Sequence, residues 1–126
     1  MPGKWKLTIT QDFSASHQLR NYCGKCENMH GHNFGVEVVV EGDTLDPDVQ
    51  YLVDFKTLKG LTNAVLERLD HTHLNEVECF KEINPSSENL AMFIYRNLKS
   101  TLPENVSLVE VSVSEKNSSN ATYWEE

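Results

Sequence analysis

An alternating pattern over residues 30–40 constrains the fold more than any other feature of this chain. Every second position carries a histidine or an apolar residue: His30, His32, Phe34, Val36, Val38 and Val40. Side chains two apart in a strand project from the same face, so the two imidazoles share the apolar face. Two imidazoles on one side of a rigid element can bind one metal ion. The pattern predicts a half-buried strand with a metal-binding pair at its start.

A third histidine is a candidate for the same site. Residues 4–13 also alternate, and if that strand runs regularly to His17, the ring shares a face with Ile9 and Phe13. Three histidine ligands leave zinc an open coordination position, which is typical of catalytic sites. Cys26, four residues before His30, offers a nucleophile or base. The segment therefore indicates a candidate metalloenzyme.

A rival interpretation uses the same segment to hold a fold together. Cys23 and Cys26, followed by His30 and His32, offer two thiolates and two imidazoles, the ligand set of a structural zinc site. The two histidines are closer together than in the usual zinc-binding pattern. Both interpretations stay open at this point.

The order of elements predicts an α+β fold. Strands are predicted over residues 4–13, 32–42, 106–115 and 121–125, and helices over 55–69 and 87–100. Residues 70–84 are predicted to be irregular. The order ββααββ favours a four-stranded antiparallel sheet with two helices on one face. Such a sheet has two open edges, which pairing between subunits would cover.

Composition narrows the class of protein. A length of 126 residues suits one domain over residues 1–126, and the net charge of −8 argues against nucleic acid or an anionic membrane as a partner. The chain has no long apolar run and no signal-peptide pattern. Its three cysteines are an odd number, which favours free thiols in a reducing cytoplasm. We therefore expect a cytoplasmic protein acting on a small molecule.

Two further positions are candidates for chemistry. Asp70 stands beside His71, as in a carboxylate that orients an imidazole, although a histidine at a helix C-terminus explains the pair equally well. His73 lies nearby without an assigned role. Glu115 continues the apolar face of Val111 and Val113, where an unpaired carboxylate is costly to bury. Such a group either meets solvent or accepts two hydrogen bonds from a guanidine-like edge of a ligand.

These residues together resemble the 6-pyruvoyltetrahydropterin synthase / 6-carboxytetrahydropterin synthase family. The resemblance covers nearly the whole length and rests on several motifs in a shared order. They are Phe13-Ser14-Ala15-Ser16-His17, Cys26-x-x-x-His30-Gly31-His32, Val53-Asp54-Phe55, Leu69-Asp70-His71-x-x-Leu74-Asn75, Asn84-Pro85-Ser86-Ser87-Glu88 and Val113-Ser114-Glu115.

The resemblance implies roles for particular residues. The implied zinc ligands are His17, His30 and His32. Cys26 would be the base at the substrate side chain, and Asp70 with His71 would complete a relay from an adjacent subunit. Glu115 would anchor the pterin ring, with Ser86 and Ser87 nearby. The implied architecture is the tunnelling fold, in which subunits join sheets into a barrel and two trimers pair into a homohexamer.

The cysteine position favours one branch of the family. Bacterial members place the thiol four residues before the first histidine of His-Gly-His, as Cys26 is, whereas animal members place it six before, where this chain has Gly24. The implied reaction converts 7,8-dihydroneopterin triphosphate to 6-carboxy-5,6,7,8-tetrahydropterin, toward queuosine, releasing triphosphate and acetaldehyde. The animal-type alternative stops at 6-pyruvoyltetrahydropterin.

Two residues depart from this simple assignment. Glu27 occupies the position at which a related subgroup has a catalytic glutamate that forms 6-hydroxymethyl-7,8-dihydropterin for folate, so dual activity is an alternative. Lys116 follows Glu115 where many relatives have threonine. None of the basic residues Lys4, Arg20 and Lys25 can be assigned to the triphosphate. A zinc-stabilised binding module and a non-catalytic pterin-binding protein remain the non-enzyme alternatives.

Overall fold

The computed structural model describes residues 3–21 and 28–126. Its regular elements in chain order are β1 (Trp5–His17), β2 (His30–Gly42), α1 (Phe55–Leu66), β3 (Thr72–His73), α2 (Ser87–Lys99), β4 (Ser107–Lys116) and β5 (Ser119–Tyr123). Two 3₁₀ turns, Leu74–Glu76 and Glu78–Phe80, follow β3. No helix within the described ranges combines the length and apolar character needed to span a membrane.

The strands form one sheet in the order β3-β1-β2-β4-β5. β1 and β2 pair antiparallel along their whole length, with Phe13 opposite Phe34 and His17 opposite His30. The predicted alternation explains the pairing, because this register puts the apolar sides of both strands on one face. β2 with β4 and β4 with β5 are also antiparallel.

The expectation of a four-stranded sheet in the order ββααββ is wrong in one respect, because the sheet has five strands. The additional strand, β3, has two residues and runs parallel to β1, with Thr72 opposite Ala15. It falls in the region that we predicted to be irregular. Two residues are too few to show an alternating pattern, so this strand depends on tertiary pairing rather than on local sequence.

The core lies between one face of the sheet and the two helices. Inward-facing residues of β1, β2 and β4 form one cluster with the apolar stripes of α1 and α2. Asp54 caps α1 by accepting from the N–H of Lys56, and Ser86 caps α2 by accepting from the N–H of Asn89. The expected α+β arrangement, with both helices covering the same face of the sheet, is therefore observed.

The end of α1 and the phase of β4 differ from the prediction for identifiable reasons. α1 ends at Leu66 rather than at residue 69, because the chain tightens there and the N–H of Arg68 bonds to the carbonyl of Val65. In β4 the pairing with β2 shifts between Val39 and Val40. Val111 and Val113 keep the expected phase, and on the other side of this bulge Leu108, which is out of step with that alternation, packs in the core.

Candidate metal centre and adjoining pocket

Three strands bring four potential ligands together. β1 continues without interruption to His17, which lies opposite His30 on β2. One ligand atom from each of His17, His30, His32 and Glu115 lies within 4.8 Å of the other three. The geometry meets the condition stated for His17, namely that its strand runs regularly to the ring. The described residues thus supply three imidazoles and a carboxylate at one point.

Backbone carbonyls orient two of the rings. The Nδ1 atom of His17 is 2.8 Å from the carbonyl oxygen of Pro85, and the Nδ1 atom of His30 is 2.8 Å from that of Asn28. A carbonyl can only accept, so each Nδ1 carries the proton and each Nε2 keeps a free lone pair. An outer hydrogen bond of this kind is the usual companion of a metal-ligating imidazole.

The Nε2 atoms of His17 and His32 face the carboxylate of Glu115. Nε2 of His17 is 3.1 Å from one oxygen of Glu115, and Nε2 of His32 is 3.3 Å from the other. Both nitrogens are buried without a hydrogen-bond partner among the described residues. Burial lowers the pKa of His17, although the Pro85 carbonyl and the Glu115 charge oppose this, so a second proton on that ring is disfavoured. Lone pairs converging on one point fit a cation, and this donor set suits zinc.

The position of Glu115 could be predicted from the sequence only in part. Its phase with Val111 and Val113 was predicted, but its contact with the histidines was not. The signal lay in the sheet register, since β4 pairs Ser114 with Gly35 and Val113 with Val36. Glu115 therefore lies near the histidine end of β2. The predicted ring-anchor role is untested by this placement and stays a prediction.

A pocket of about 320 Å³ adjoins the cluster and shares Glu115 with it. The same pocket is lined by Ser86 and Ser87 from the start of α2 and by Lys116 from the end of β4. The structure therefore brings together the two serines and the carboxylate that the resemblance placed near one ligand. The Ser86 hydroxyl already accepts a hydrogen bond from the N–H of Asn89, at 3.2 Å, as the cap of α2.

Asp70 and His71 lie outside the histidine cluster of their own chain. The Asp70 carboxylate accepts from the N–H of Ser14 at 2.8 Å, and the N–H of His71 donates to the Ser14 carbonyl at 2.6 Å. The His71 side chain is 81 % exposed, and its backbone adopts a φ of 58°. With Ser14, Asn33 and His32, a member of the cluster, it lines a shallow surface depression. The His73 ring is hydrogen bonded to Ser16 at 2.9 Å.

Several predicted residues fall outside the described residues. These are Cys23, Lys25, Cys26 and Glu27. Arg20 can be placed, and its guanidinium donates to the carbonyl oxygens of Ile83, Asn75 and Phe80 at 3.1, 3.4 and 2.8 Å. This side chain is therefore engaged in holding the fold, which leaves it a poor candidate for the triphosphate. Lys4 is exposed just before β1.

Comparisons with known proteins place this geometry in context. The family described as "6-pyruvoyl tetrahydropterin synthase" matches residues 6–126. A 6-carboxy-5,6,7,8-tetrahydropterin synthase of Bacillus subtilis is 35% identical over 130 residues, covering 97% of this chain and 86% of the relative. A dihydroneopterin monophosphate aldolase of Pyrococcus furiosus is 34% identical over 114 residues, covering 90% and 92%. The structure of Caenorhabditis elegans 6-pyruvoyl tetrahydropterin synthase superposes with a TM-score of 0.88 at 30% identity, covering 98% of this chain and 97% of that one.

Fold, cluster and relatives together define an enzyme, a lyase of the tetrahydropterin synthase type. The chain belongs to the 6-pyruvoyl tetrahydropterin synthase family, as its motifs suggested. Enzymes of this family act on pterin substrates.

Proposed function

We propose that this chain is a zinc-dependent lyase that converts 7,8-dihydroneopterin triphosphate to 6-carboxy-5,6,7,8-tetrahydropterin, releasing triphosphate and acetaldehyde, as a step toward queuosine. The Bacillus subtilis relative named for this product supports the proposal. So does Cys26, whose spacing before His30 is that of bacterial members. The reaction would take place in the cytoplasm.

One observation carries most of the proposal: Glu115 belongs both to the histidine cluster and to the adjoining pocket. A ligand in that pocket would lie directly beside any ion held by the three histidines. At about 320 Å³ the pocket falls in the size range, roughly 300–1,000 Å³, of sites for small molecules. A bicyclic ring held at Glu115 would present its side chain to the histidines.

Each residue of the site has a separate proposed role in this reaction. His17, His30 and His32 would hold the zinc ion, which when bound polarises an oxygen of the substrate side chain. Glu115 would accept hydrogen bonds from the amino-pyrimidine edge of the ring, and Ser86 and Ser87 would line that pocket. Cys26 would move a proton at the substrate side chain. Asp70 would orient His71, and both would reach this site from a neighbouring subunit.

A second product is the strongest alternative. The Pyrococcus furiosus relative is named as an aldolase acting on dihydroneopterin monophosphate. Aldol cleavage of such a side chain leaves a hydroxymethyl group on the ring, the product already considered for Glu27. Dual activity through Cys26 and Glu27 therefore stays a candidate. The animal-type reaction, which stops at 6-pyruvoyltetrahydropterin, is a further one.

The non-enzyme alternatives receive less support. A zinc-stabilised binding module would require Cys23 and Cys26 as ligands. The described residues already offer four donors without either cysteine. The membership in a family of named synthases also favours chemistry over binding alone.

The first experiment is to incubate the zinc-loaded protein with 7,8-dihydroneopterin triphosphate and to identify the pterin product by mass. We expect 6-carboxy-5,6,7,8-tetrahydropterin. A 6-hydroxymethyl-7,8-dihydropterin product would contradict the proposal and favour Glu27, and 6-pyruvoyltetrahydropterin would favour the animal-type reaction. The absence of any conversion would favour the binding module.

Glu115 variants separate ring binding from metal binding. We expect Glu115→Gln to raise KM for the pterin while the three histidines retain zinc, because the neutral amide replaces one acceptor with a donor. His30→Ala, the matched change at a histidine, should lose zinc together with activity. Zinc content and steady-state kinetics on both variants provide the measurement. An unchanged KM for Glu115→Gln would contradict the ring-anchor role.

A further inference from the structure

Two asparagine side chains hold the chain that leaves β1. Asn75 accepts from the N–H of Gln18 and donates to its carbonyl, both at 2.9 Å. Asn84 makes the same reciprocal pair with Arg20, at 2.9 and 3.0 Å. Each amide thereby takes the place of a neighbouring strand and satisfies both polar groups of one backbone residue. Two of the three residues that follow His17, namely Gln18 and Arg20, are held in this way.

Asn84 is also joined to the ligand His17 by a second route. The residue after it, Pro85, is buried and supplies the carbonyl that accepts from Nδ1 of His17 at 2.8 Å. The carbonyl of Asn84 is itself bonded by the side chain of Asn89 at 2.8 Å. Asn84 therefore binds Arg20, and the adjacent Pro85 binds His17. Because Arg20 follows His17 by three residues, these contacts tie the two chain segments together at two neighbouring points.

We propose that Asn84 is a positioning residue for metal binding, acting through the Pro85 carbonyl on the orientation and tautomer of His17. Proline fixes its own φ, so the direction of this carbonyl depends on ψ of Pro85 and therefore on how the chain is held on both sides of it, at Asn84 and at Ser86, the cap of α2. The Asn84 amide holds that segment against Arg20. Loss of the amide frees the carbonyl to move, and the proton on Nδ1 of His17 loses its fixed acceptor. The lone pair of Nε2 is then no longer aimed at the cluster.

The chain offers a matched control at the other end of the sheet. Asn105 also uses its side-chain amide to bind backbone carbonyls, those of Leu52 at 2.8 Å and Thr44 at 3.3 Å. Among the described residues its side chain makes no hydrogen bond to His17 or to the segment at Pro85. Asn105→Ala therefore removes a loop-binding amide of the same kind without touching the ligand. Any effect of lost stability alone should appear in both variants.

The test measures Asn84→Ala and Asn105→Ala for zinc affinity by competition with a chromophoric chelator. We expect Asn84→Ala to weaken zinc binding roughly 10–100-fold, the usual effect of losing an outer-shell partner, and Asn105→Ala to leave it unchanged. Urea unfolding of the metal-free proteins measures the loss of stability in each. Equal losses of zinc affinity in the two variants, or none in Asn84→Ala, would overturn the proposal.

A second measurement does not require metal. Long-range ¹H–¹⁵N spectra of the metal-free protein report which ring nitrogen of His17 carries the proton. We expect Nδ1–H in the parent protein and in Asn105→Ala, and a mixture of tautomers in Asn84→Ala. Asn84→Asp keeps the oxygen that accepts from Arg20 and serves as the second variant if the alanine variant does not fold. A parent-like tautomer in every folded Asn84 variant would overturn the proposal.

The inference rests on the metal binding in the proposed function and not on its pterin chemistry. Failure of the parent protein to bind zinc would contradict the proposed function while the tautomer still tests Asn84. A parent protein that binds zinc and makes a different pterin product leaves the test of Asn84 unchanged.

Discussion

The direction of single atoms decides what the histidine cluster can do. Two carbonyl oxygens accept from Nδ1 of His17 and of His30, which leaves the Nε2 lone pairs for a common centre. The sequence identified the three rings because strand alternation is a local property. It could not identify the carbonyls of Pro85 and Asn28, because backbone groups carry no signature of their own in a sequence. The contact of Glu115 with the rings also required the strand register.

His71, a residue of the proposed relay, has a backbone conformation that departs from local preference. Its φ of 58° is in the left-handed region, which costs a residue with a Cβ roughly 1–2 kcal/mol. The ring is nevertheless displayed to solvent. Strained backbone at an exposed histidine is typical of a site where geometry serves function. This strain could not be predicted from the sequence, because nothing in the pair Asp70-His71 requires a positive φ.

Replacing His71 with glycine should separate stability from activity. We expect His71→Gly to stabilise the fold by about 0.5–1 kcal/mol, since relief of strain exceeds the entropy cost of a glycine. Its turnover should nevertheless fall strongly, because the proposed relay loses its imidazole. Urea unfolding and kcat provide the two measurements.

Gln50 provides the matched control for this change. It also has a positive φ, of 69°, in a turn away from the cluster. Gln50→Gly should give a similar gain in stability with unchanged turnover. If His71→Gly kept parental turnover as well, His71 would have no part in the reaction.

Helices and strands could be predicted from the sequence more completely than individual contacts could. The two helices and four of the strands were predicted because their apolar spacing and capping residues are local features. β3 was missed because two paired residues leave no periodicity. The early end of α1 was missed because its last apolar residue, Leu69, still packs in the core from a turn beyond the helix.

Variants of Ser86 and Ser87, at the start of α2, test whether each residue caps the helix, binds the ligand or does both. Ser86 caps α2, whereas Ser87 lies in the first turn, and both line the pocket beside Glu115. We expect Ser86→Ala to cost about 1 kcal/mol of stability, the usual value of a lost cap, and to raise KM for the pterin. Ser87→Ala should raise KM with little loss of stability. Thermal unfolding and steady-state kinetics give the two quantities.

Asp54, the cap of α1, provides a control for the free energy of unfolding that is lost when a helix cap is removed. Asp54→Ala should cost a similar amount of stability without a change in KM, because Asp54 does not line that pocket. A Ser86→Ala variant that behaved like Asp54→Ala in both measurements would be a cap only, which would contradict its predicted place in substrate binding.

At the scale of the whole molecule, the sheet leaves two edges available. On the side of β1 away from β2, the only strand pairing among the described residues is with β3, at Ala15 and Ser16. β5 is the other edge. Trp5, 47 % exposed, begins the first edge, and Trp124, 59 % exposed, directly follows the second. Exposed edges with large aromatic residues are consistent with the proposed pairing of subunits into trimers and hexamers.

Mixed oligomers test whether a neighbour completes the site. Cys26→Ala and His71→Ala chains should each be inactive alone. Refolded together, they should recover part of the activity, because some sites then combine Cys26 of one chain with His71 of another. Turnover of the purified mixed oligomer is the measurement. Mixing Cys26→Ala with His30→Ala chains is the control and should recover none, since both residues would serve the same chain's site. Equal results for the two mixtures would contradict a shared relay.

The positions of the three histidines, of Glu115 and of Pro85 along the chain have a consequence for the stage of folding at which the proposed zinc ion would bind. His17, His30 and His32 belong to the first hairpin, whereas Glu115 lies on a strand made only after both helices. The Pro85 carbonyl that orients His17 also follows the hairpin by a long stretch of chain. During synthesis the ribosome therefore releases the three proposed zinc ligands long before it makes the carbonyl that orients His17 and the carboxylate beside the rings. In a zinc finger the ion drives folding. Here tight binding of the proposed zinc ion would instead require that the segment of Pro85 has already folded against His17.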